Sequence, residues 1–436
     1  MNIKGSPRDG LIAATLGFFI GFAAVALFGP TANRFQEVME LSPMMVGFLV
    51  AAPALSGSLL RIPFSAWVDT TGGRKPFTVL LALSVVGMAG LTGVVWTLYP
   101  NNLTPSLYPL LFALALLCGC GIATFSVGIS QVAYWHSRSE QGKALAIFAG
   151  VGNVGPGIFS LLIPLALASF GLVGSYLIWL ILLVIGTGLY FALGRNSWYF
   201  QLLQAGQPAA AARAEAQELG QELFPAGSLR DSLRISVRVW KTWALVWIYF
   251  TTFGGFIALT AWLPTYWREL YGVTPIVAGV LTATYSILSS LIRVGGGVMA
   301  DKLREGGENT AILALMITLI GALVMTMTNE FELALPGIIL MAIGMGVTNA
   351  AVFKIVPQAV PEAVGGAAGW VGGLGAFGGF AIPPMMAFAV GDLGPRGYSI
   401  GFVVFVYLTI SALLMAWILK YAIEAAPANG PSRLES

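Results

Sequence analysis

Apolar runs of twenty or more residues recur along this chain, separated by short polar breaks. They lie near 11–33, 42–68, 76–97, 106–135, 142–167, 173–194, 242–266, 275–300, 310–328, 334–357, 363–390 and 398–422. A helix needs about 20 residues to cross the hydrocarbon core of a bilayer, so the pattern predicts twelve transmembrane helices. One long polar stretch, 195–241, interrupts the series after the sixth run. It contains "AAAARAEAQELGQELF", a good solution helix, and "RDSLRISVRVWK", which is basic and amphipathic. It reads as a surface linker between an N-terminal half, 1–194, and a C-terminal half, 242–436. The first run follows Lys4 and Arg8, is too long for a signal-peptide core and is followed by more spans, so it is expected to be a retained helix.

Composition agrees with the pattern. The chain is 57% hydrophobic and 9% charged, whereas soluble domains carry about 25% charged residues. Its 54 glycines suit helices packed closely in lipid. The net charge of +3 implies no nucleic-acid partner. Cys118 and Cys120 diverge on a helix, so they cannot bridge each other and have no metal-ligand spacing; His136 falls where apolar sequence turns polar, as a helix end does. Sixteen of the 22 Lys and Arg fall on the side that would hold both termini, three on the other side, and three, Arg61, Arg293 and Lys354, within spans. That asymmetry predicts cytoplasmic termini in a cell (inner) membrane.

The halves repeat. Arg61 precedes Asp69 by eight residues, Arg293 precedes Asp301 by eight, and the two elements are offset by 232. "FAGVGNVGPG" and "WVGGLGAFGG" recur with an offset of 220, aligning Gly152-Asn153-Val154-Gly155 with Gly372-Gly373-Leu374-Gly375. An even number of spans separates the copies, so the repeat is parallel, as in transporters with a midplane site between two six-helix halves. The loop with Asp69, Gly73, Arg74 and Lys75 resembles the signature of the major facilitator superfamily; Ser65 replaces the usual Gly in the first copy, while Gly297 keeps it in the second. "QGKALAIFAGVGNVGPG" and "GAAGWVGGLGAFGGFAIP" resemble the two signatures of its nitrate/nitrite porter (NarK-type) family. The resemblance covers nearly the whole chain. It implies an all-α membrane protein of two pseudo-symmetric six-helix halves that carries nitrate and nitrite, with Arg61 and Arg293 at its substrate arginines and with Phe28, Phe125, Tyr249 and Phe253 at its anion-contacting aromatic positions.

The residues themselves also point to an anion. Burying an arginine in a span costs about 2.5–3.5 kcal/mol on insertion scales, and a carboxylate is the usual compensation. None of the 19 Asp and Glu falls in the middle of a predicted span. A mobile anion is the natural complement, and snorkelling toward the interface is the alternative. A guanidinium is planar, always charged and fork-like, which suits a planar oxyanion. Pro53, Gly57, Arg61 and Ser65 share one helix face, as do Tyr285, Ser289, Arg293 and Gly297; such faces suit a wet cavity or a close helix neighbour. Asn153 is a candidate donor to the anion or a bond to a neighbouring helix. The glycines at 152, 155, 372, 373 and 375 suit close, sliding helix contacts. Asp69, Arg74 and Asp301 belong to the motif loops, and Lys354 either snorkels or gates. No cofactor or metal is expected, and a monomer is.

An enzyme is disfavoured, since no nucleophile–base pair, metal cluster or nucleotide loop is present. A receptor is disfavoured by the lack of an output domain. A proton-coupled carrier usually keeps a titratable group on its path. None is evident besides boundary groups and Lys354, so nitrate/nitrite antiport is the first expectation, with proton-coupled nitrate symport, or carriage of another small anion, as alternatives.

Overall fold

The computed structural model describes residues 3–225, 229–302, 306–360 and 363–424. Among them, eleven helical runs are long and apolar enough to cross a bilayer. They are α1 (Pro7–Met39), α2 (Pro43–Thr71), α3 (Arg74–Leu98), α4 (Pro105–Trp135), the run Lys143–Leu193, α7 (Trp240–Tyr271), α8 (Pro275–Ala300), α9 (Gly307–Met327), α10 (Phe331–Val356), α11 (Gly366–Ile400) and α12 (Val403–Tyr421). The run Lys143–Leu193 has 51 residues, about 76 Å of helix at 1.5 Å per residue and far more than one bilayer needs. It is two helices, α5 and α6, meeting at Gly171, where φ 67° and ψ −174° are not helical. Glycine reaches that conformation without a Cβ penalty. Twelve passages therefore result, in the numbers that hydropathy predicts.

Boundaries differ from the sequence reading for local reasons. Helix α1 starts earlier because Ser6 and Asp9 form a capping box, the Ser6 hydroxyl accepting from the Asp9 N–H and the Asp9 carboxylate accepting from the Ser6 N–H at 3.0 Å. Helix α11 runs on past 390 through a short turn after Gly394, which has φ 62°, and α12 begins only at Val403. Between α6 and α7 lie three short helices, Trp198–Gln204, Ala209–Glu218 and Leu229–Ser236. The last docks on α11: Ser232 Oγ accepts from the Gly366 N–H at 2.8 Å, and Trp370 Nε1 donates to the Leu233 carbonyl at 3.1 Å.

Large apolar side chains such as Tyr407 (70% exposed) and Phe170 (64%) stand outward, as lipid-facing positions do and as water-facing ones rarely do. The first six and last six helices meet through backbone-close glycines at one end of the bundle. A methyl on Gly29 would lie 2.3 Å from the Ala261 carbonyl oxygen, one on Gly47 2.8 Å from Ala387 Cβ, and one on Gly279 2.5 Å from the Ser160 carbonyl oxygen. The Asn33 amide also donates to Glu269 there. Toward the other end two glycines are less closely packed: a methyl on Gly150 would sit 3.7 Å from Val294, and one on Gly297 would meet no described heavy atom within 4 Å.

Candidate anion site

The helices around the bundle centre are interrupted where the candidate residues sit. Helix α2 breaks at Leu60, just before Arg61. Helix α5 breaks at Asn153–Val154, α7 widens into a π turn at Phe250–Gly254, and α11 is interrupted at Gly375–Phe377. Irregular backbone at membrane depth is tolerated only inside protein or along a cavity, and π turns often mark functional sites. The break in α11 matters most. It ends the regular helical bonding of the stretch Val364–Leu374, where Val371 still accepts from the Gly375 N–H at 3.0 Å and Leu374 from the Phe377 N–H at 3.1 Å. Such a helix end leaves carbonyls free for other donors and carries negative partial charge. Arg61 Nη1 donates to one of them, the Gly372 carbonyl, at 2.9 Å.

Both arginines converge on one ring. The Arg61 guanidinium carbon lies 4.9 Å from the Phe125 ring centre and 5.1 Å from that of Phe253, while the Arg293 guanidinium lies 5.6 Å from Phe253. Phe253 stacks on Tyr249 at 4.8 Å and on Phe125 at 5.9 Å. Arg293 Nη2 donates to the Tyr249 hydroxyl at 3.3 Å. Arg61 is 1% exposed, and its Nε and Nη2 have no partner. Those two atoms form one edge of the guanidinium fork. Among the described residues the resolved ion pair is Arg34–Glu37 at 3.9 Å, and neither Arg61 nor Arg293 joins one. A buried unpaired donor on a charged group costs more than the 1–3 kcal/mol of a neutral one, and two oxygens of an anion would match this edge.

The remaining candidates are distributed as follows. Asn153 is buried at the α5 break; its Oδ1 has no partner and its carbonyl accepts from Ser290 of α8 at 3.1 Å. Phe28 is buried but packs edge-on against Phe35 at 5.5 Å, and among the described residues no ring contact joins it to the arginines. Gly152, Gly155 and Gly375 leave room within each set of six helices. Methyls there would lie 2.0 Å from Phe18, 2.3 Å from the Phe19 carbonyl oxygen and 2.4 Å from the Val371 carbonyl oxygen, with Tyr249 Cδ1 at 2.7 Å from the last. Gly373 instead faces across to Ile62 at 2.8 Å, and Gly372 has open space beside it. Gly57 abuts Ile122, so that stretch of the Arg61 face is a helix contact.

Asp69 is not in a loop. It sits in the last turns of α2 and accepts from the Tyr134 hydroxyl at 2.5 Å. The loop begins at Gly72, whose φ of 76° favours glycine. Asn196, which the sequence reading passed over, holds that loop by accepting from the Arg74 N–H at 2.8 Å and donating to the Thr71 carbonyl at 3.0 Å. The Arg74 side chain donates to the Phe191 carbonyl at 3.0 Å. Lys354 Nζ donates to the Ala300 carbonyl at 2.5 Å. The Asp301 side chain lies outside the described residues. Also missed were Phe22, parallel to Phe253 at 6.3 Å, Phe18 beside Phe125 at 5.2 Å, and Phe353, edge-on to Tyr249 at 5.2 Å. In a chain with 26 Phe, nothing in the sequence marked these three, because they reach the site from other helices than Arg61 and Tyr249.

Comparison with known proteins gives the family and the fold. The family model of the Major Facilitator Superfamily matches residues 14–383. The probable nitrate/nitrite antiporter NarK1 of Thermus thermophilus is 30% identical over 424 residues, covering 92% of this chain and 89% of that protein. The nitrite extrusion protein of Bacillus subtilis is 26% identical over 408 residues, covering 92% of each. Among solved structures, the xylose transporter XylE from E. coli, in a partially occluded inward-open conformation, superposes with a TM-score of 0.71 at 15% identity, covering 95% of this chain and 99% of that one. The twelve-helix fold, the glycine-lined helix breaks and the relatives together place this chain in the major facilitator superfamily, as a membrane transporter of its nitrate/nitrite porter (NarK-type) family.

Proposed function

We propose that this protein carries nitrate and nitrite across the cell (inner) membrane by alternating access, exchanging one for the other. The observation that carries the reading is the free Nε–Nη2 edge of Arg61, buried, with no acidic partner and facing the same ring as Arg293. A bidentate guanidinium edge matches two oxygens of a planar anion. The aromatic walls of Phe125, Phe253 and Tyr249 exclude water and sandwich a flat ligand, and Asn153 offers a further polar contact. Relatives named as nitrate/nitrite antiporter, nitrate transporter and nitrite extrusion protein support the substrate.

The moving parts are the halves 1–194 and 242–436, joined by 195–241, with both termini in the cytoplasm as the distribution of Lys and Arg favours. Close glycine contacts at the external end and looser ones at the cytoplasmic end are what one of two alternating arrangements requires. Exchange follows from charge: an empty site holding two cations resists reorienting until an anion enters. Arginine does not release protons near neutral pH, and among the described residues the one buried carboxylate, Glu308, stands at the start of α9 rather than beside the arginines. The test is nitrate uptake into proteoliposomes, with and without internal nitrite, at a clamped proton gradient. Antiport predicts uptake that requires internal anion and ignores the proton gradient. Uptake that collapses with a protonophore and ignores internal nitrite selects proton symport.

A further inference from the structure

A second pair of buried polar side chains lies in the last six helices, in register with Arg293 and with Phe353. On α8, Tyr285, Ser289 and Arg293 follow one another at four-residue spacing, along one face. On α10, Met345, Asn349 and Phe353 do the same. The ends of these two stripes are pinned to the same place: the Tyr285 hydroxyl donates to Met345 Sδ at 3.3 Å, while Phe353 packs edge-on against Tyr249, the partner of Arg293. The middle residues are therefore turned toward each other's helix, and Gly346, one turn before Asn349's own, presses against the Ser289 backbone; a methyl there would lie 2.4 Å from the Ser289 carbonyl oxygen. Ser289 and Asn349 are each 2% exposed, yet Ser289 Oγ and Asn349 Oδ1 have no partner. Native structures leave few such groups unpaired, and a ligand that comes and goes is one reason to do so.

We infer that Ser289 and Asn349 form the contact by which this transporter tells nitrate from nitrite, an inference that rests on the substrate reading above. Nitrate has three oxygens and nitrite two. With two oxygens on the Nε–Nη2 edge of Arg61, the third oxygen of nitrate points away from that edge, and Ser289 and Asn349, one helical turn from Arg293 and Phe353, are the groups taken to meet it. Nitrite presents only its nitrogen lone pair in that direction. A hydroxyl and a carboxamide, which rotate to offer O–H and N–H, give nitrate a hydrogen bond that nitrite cannot match. Sites that bond a group discriminate strongly against an analogue lacking it, because the site's polar atoms are then left unpaired.

The experiment measures KM for nitrate and for nitrite in the same proteoliposomes for wild type, Asn349→Leu, Asn349→Ser and Ser289→Ala, each checked for monodisperse folding. Asn349→Leu is expected to raise the nitrate KM about tenfold, roughly one charge-assisted hydrogen bond, and to change the nitrite KM less than twofold. Ser289→Ala should move the ratio the same way by a few-fold. Asn349→Ser, which keeps a donor, should hold most of the preference; it and Ser289→Ala carry the test should the leucine variant not fold. Equal weakening for both anions, or an unchanged ratio in the folded variants, overturns the inference. A wild type that takes up neither anion overturns the substrate reading instead.

Discussion

Arg61 and Arg293 occupy matched positions in a repeat offset by 232 residues, yet their surroundings differ. Arg61 is fully enclosed, lies over two rings and reaches across the bundle to a carbonyl at the end of a broken helix. Arg293 is half-buried and donates to Tyr249, within its own set of six helices. The repeat thus places two cations at equivalent depths but does not give them equivalent work. Arg61 holds one side of its fork on protein and leaves the Nε–Nη2 edge free. Arg293 contributes charge and a hydroxyl partner. Pseudo-symmetry is a statement about backbone placement; the loads on each side chain come from what the other helices bring.

Replacing each arginine with lysine tests that difference most directly. The substitution keeps the charge and removes the fork. At Arg61 it should weaken nitrate affinity about 100-fold, as expected for the loss of two charge-assisted hydrogen bonds worth about 1.5 kcal/mol each. At Arg293 a single ammonium replaces most of the interaction, and the loss should be about tenfold. Nitrate protection against thermal unfolding, read alongside uptake, gives both numbers. Equal losses at the two positions would erase the asymmetry, and near-normal affinity in both would remove the arginines from the site.

Part of this contrast was legible in the sequence and part was not. Hydropathy found the twelve passages because bilayer thickness sets a minimum run length, and it separated α5 from α6 at the gap that contains Gly171. The twin arginines stood out because charge is rare in such runs. The Gly372 carbonyl could not be foreseen: it is free only because α11 breaks at Gly375–Phe377, and breaks depend on what packs beside them. The π turn at Phe250–Gly254 was equally hidden, although the four-residue spacing of Tyr249 and Phe253 already puts their stacked rings on one face. Family likeness put Phe28 among the anion-contacting positions; among the described residues its ring packs on Phe35, just ahead of the short helix Gly29–Thr31. The signature glycines read as close, sliding helix contacts; Gly152 and Gly375 make that close contact against Phe18, which backs Phe125, and against Tyr249, the partner of Arg293.

That last finding yields a matched pair of smaller perturbations. A methyl at Gly152 drives into Phe18, which backs the Phe125 ring under Arg61. A methyl at Gly375 presses on Tyr249, the partner of Arg293. Overpacking costs about 1–3 kcal/mol. Gly152→Ala should therefore weaken nitrate affinity about tenfold, and Gly375→Ala only about threefold, because it disturbs the less burdened side. The larger loss falling on Gly375→Ala would reverse the ranking of the two arginines. Isothermal titration with nitrate on folded protein distinguishes these outcomes from a loss of insertion.

The smallest effect isolates the link between Tyr249 and Arg293. Tyr249→Phe removes one hydroxyl while keeping the ring that stacks on Phe253. The bond is long, at 3.3 Å, so it contributes less than the roughly 1.5–3 kcal/mol of a well-formed bond to a charged group. Nitrate affinity should fall about threefold. The double-mutant cycle gives the decisive reading. If the hydroxyl acts by orienting Arg293, its removal should cost nothing further once Arg293→Lys has abolished the geometry, yet the full threefold in an Arg61→Lys background. A hydroxyl that costs the same in all three backgrounds must instead touch the anion itself. Both arginines would then share their load with a separate donor, and the distinction between a forked anchor and a supported charge would no longer hold.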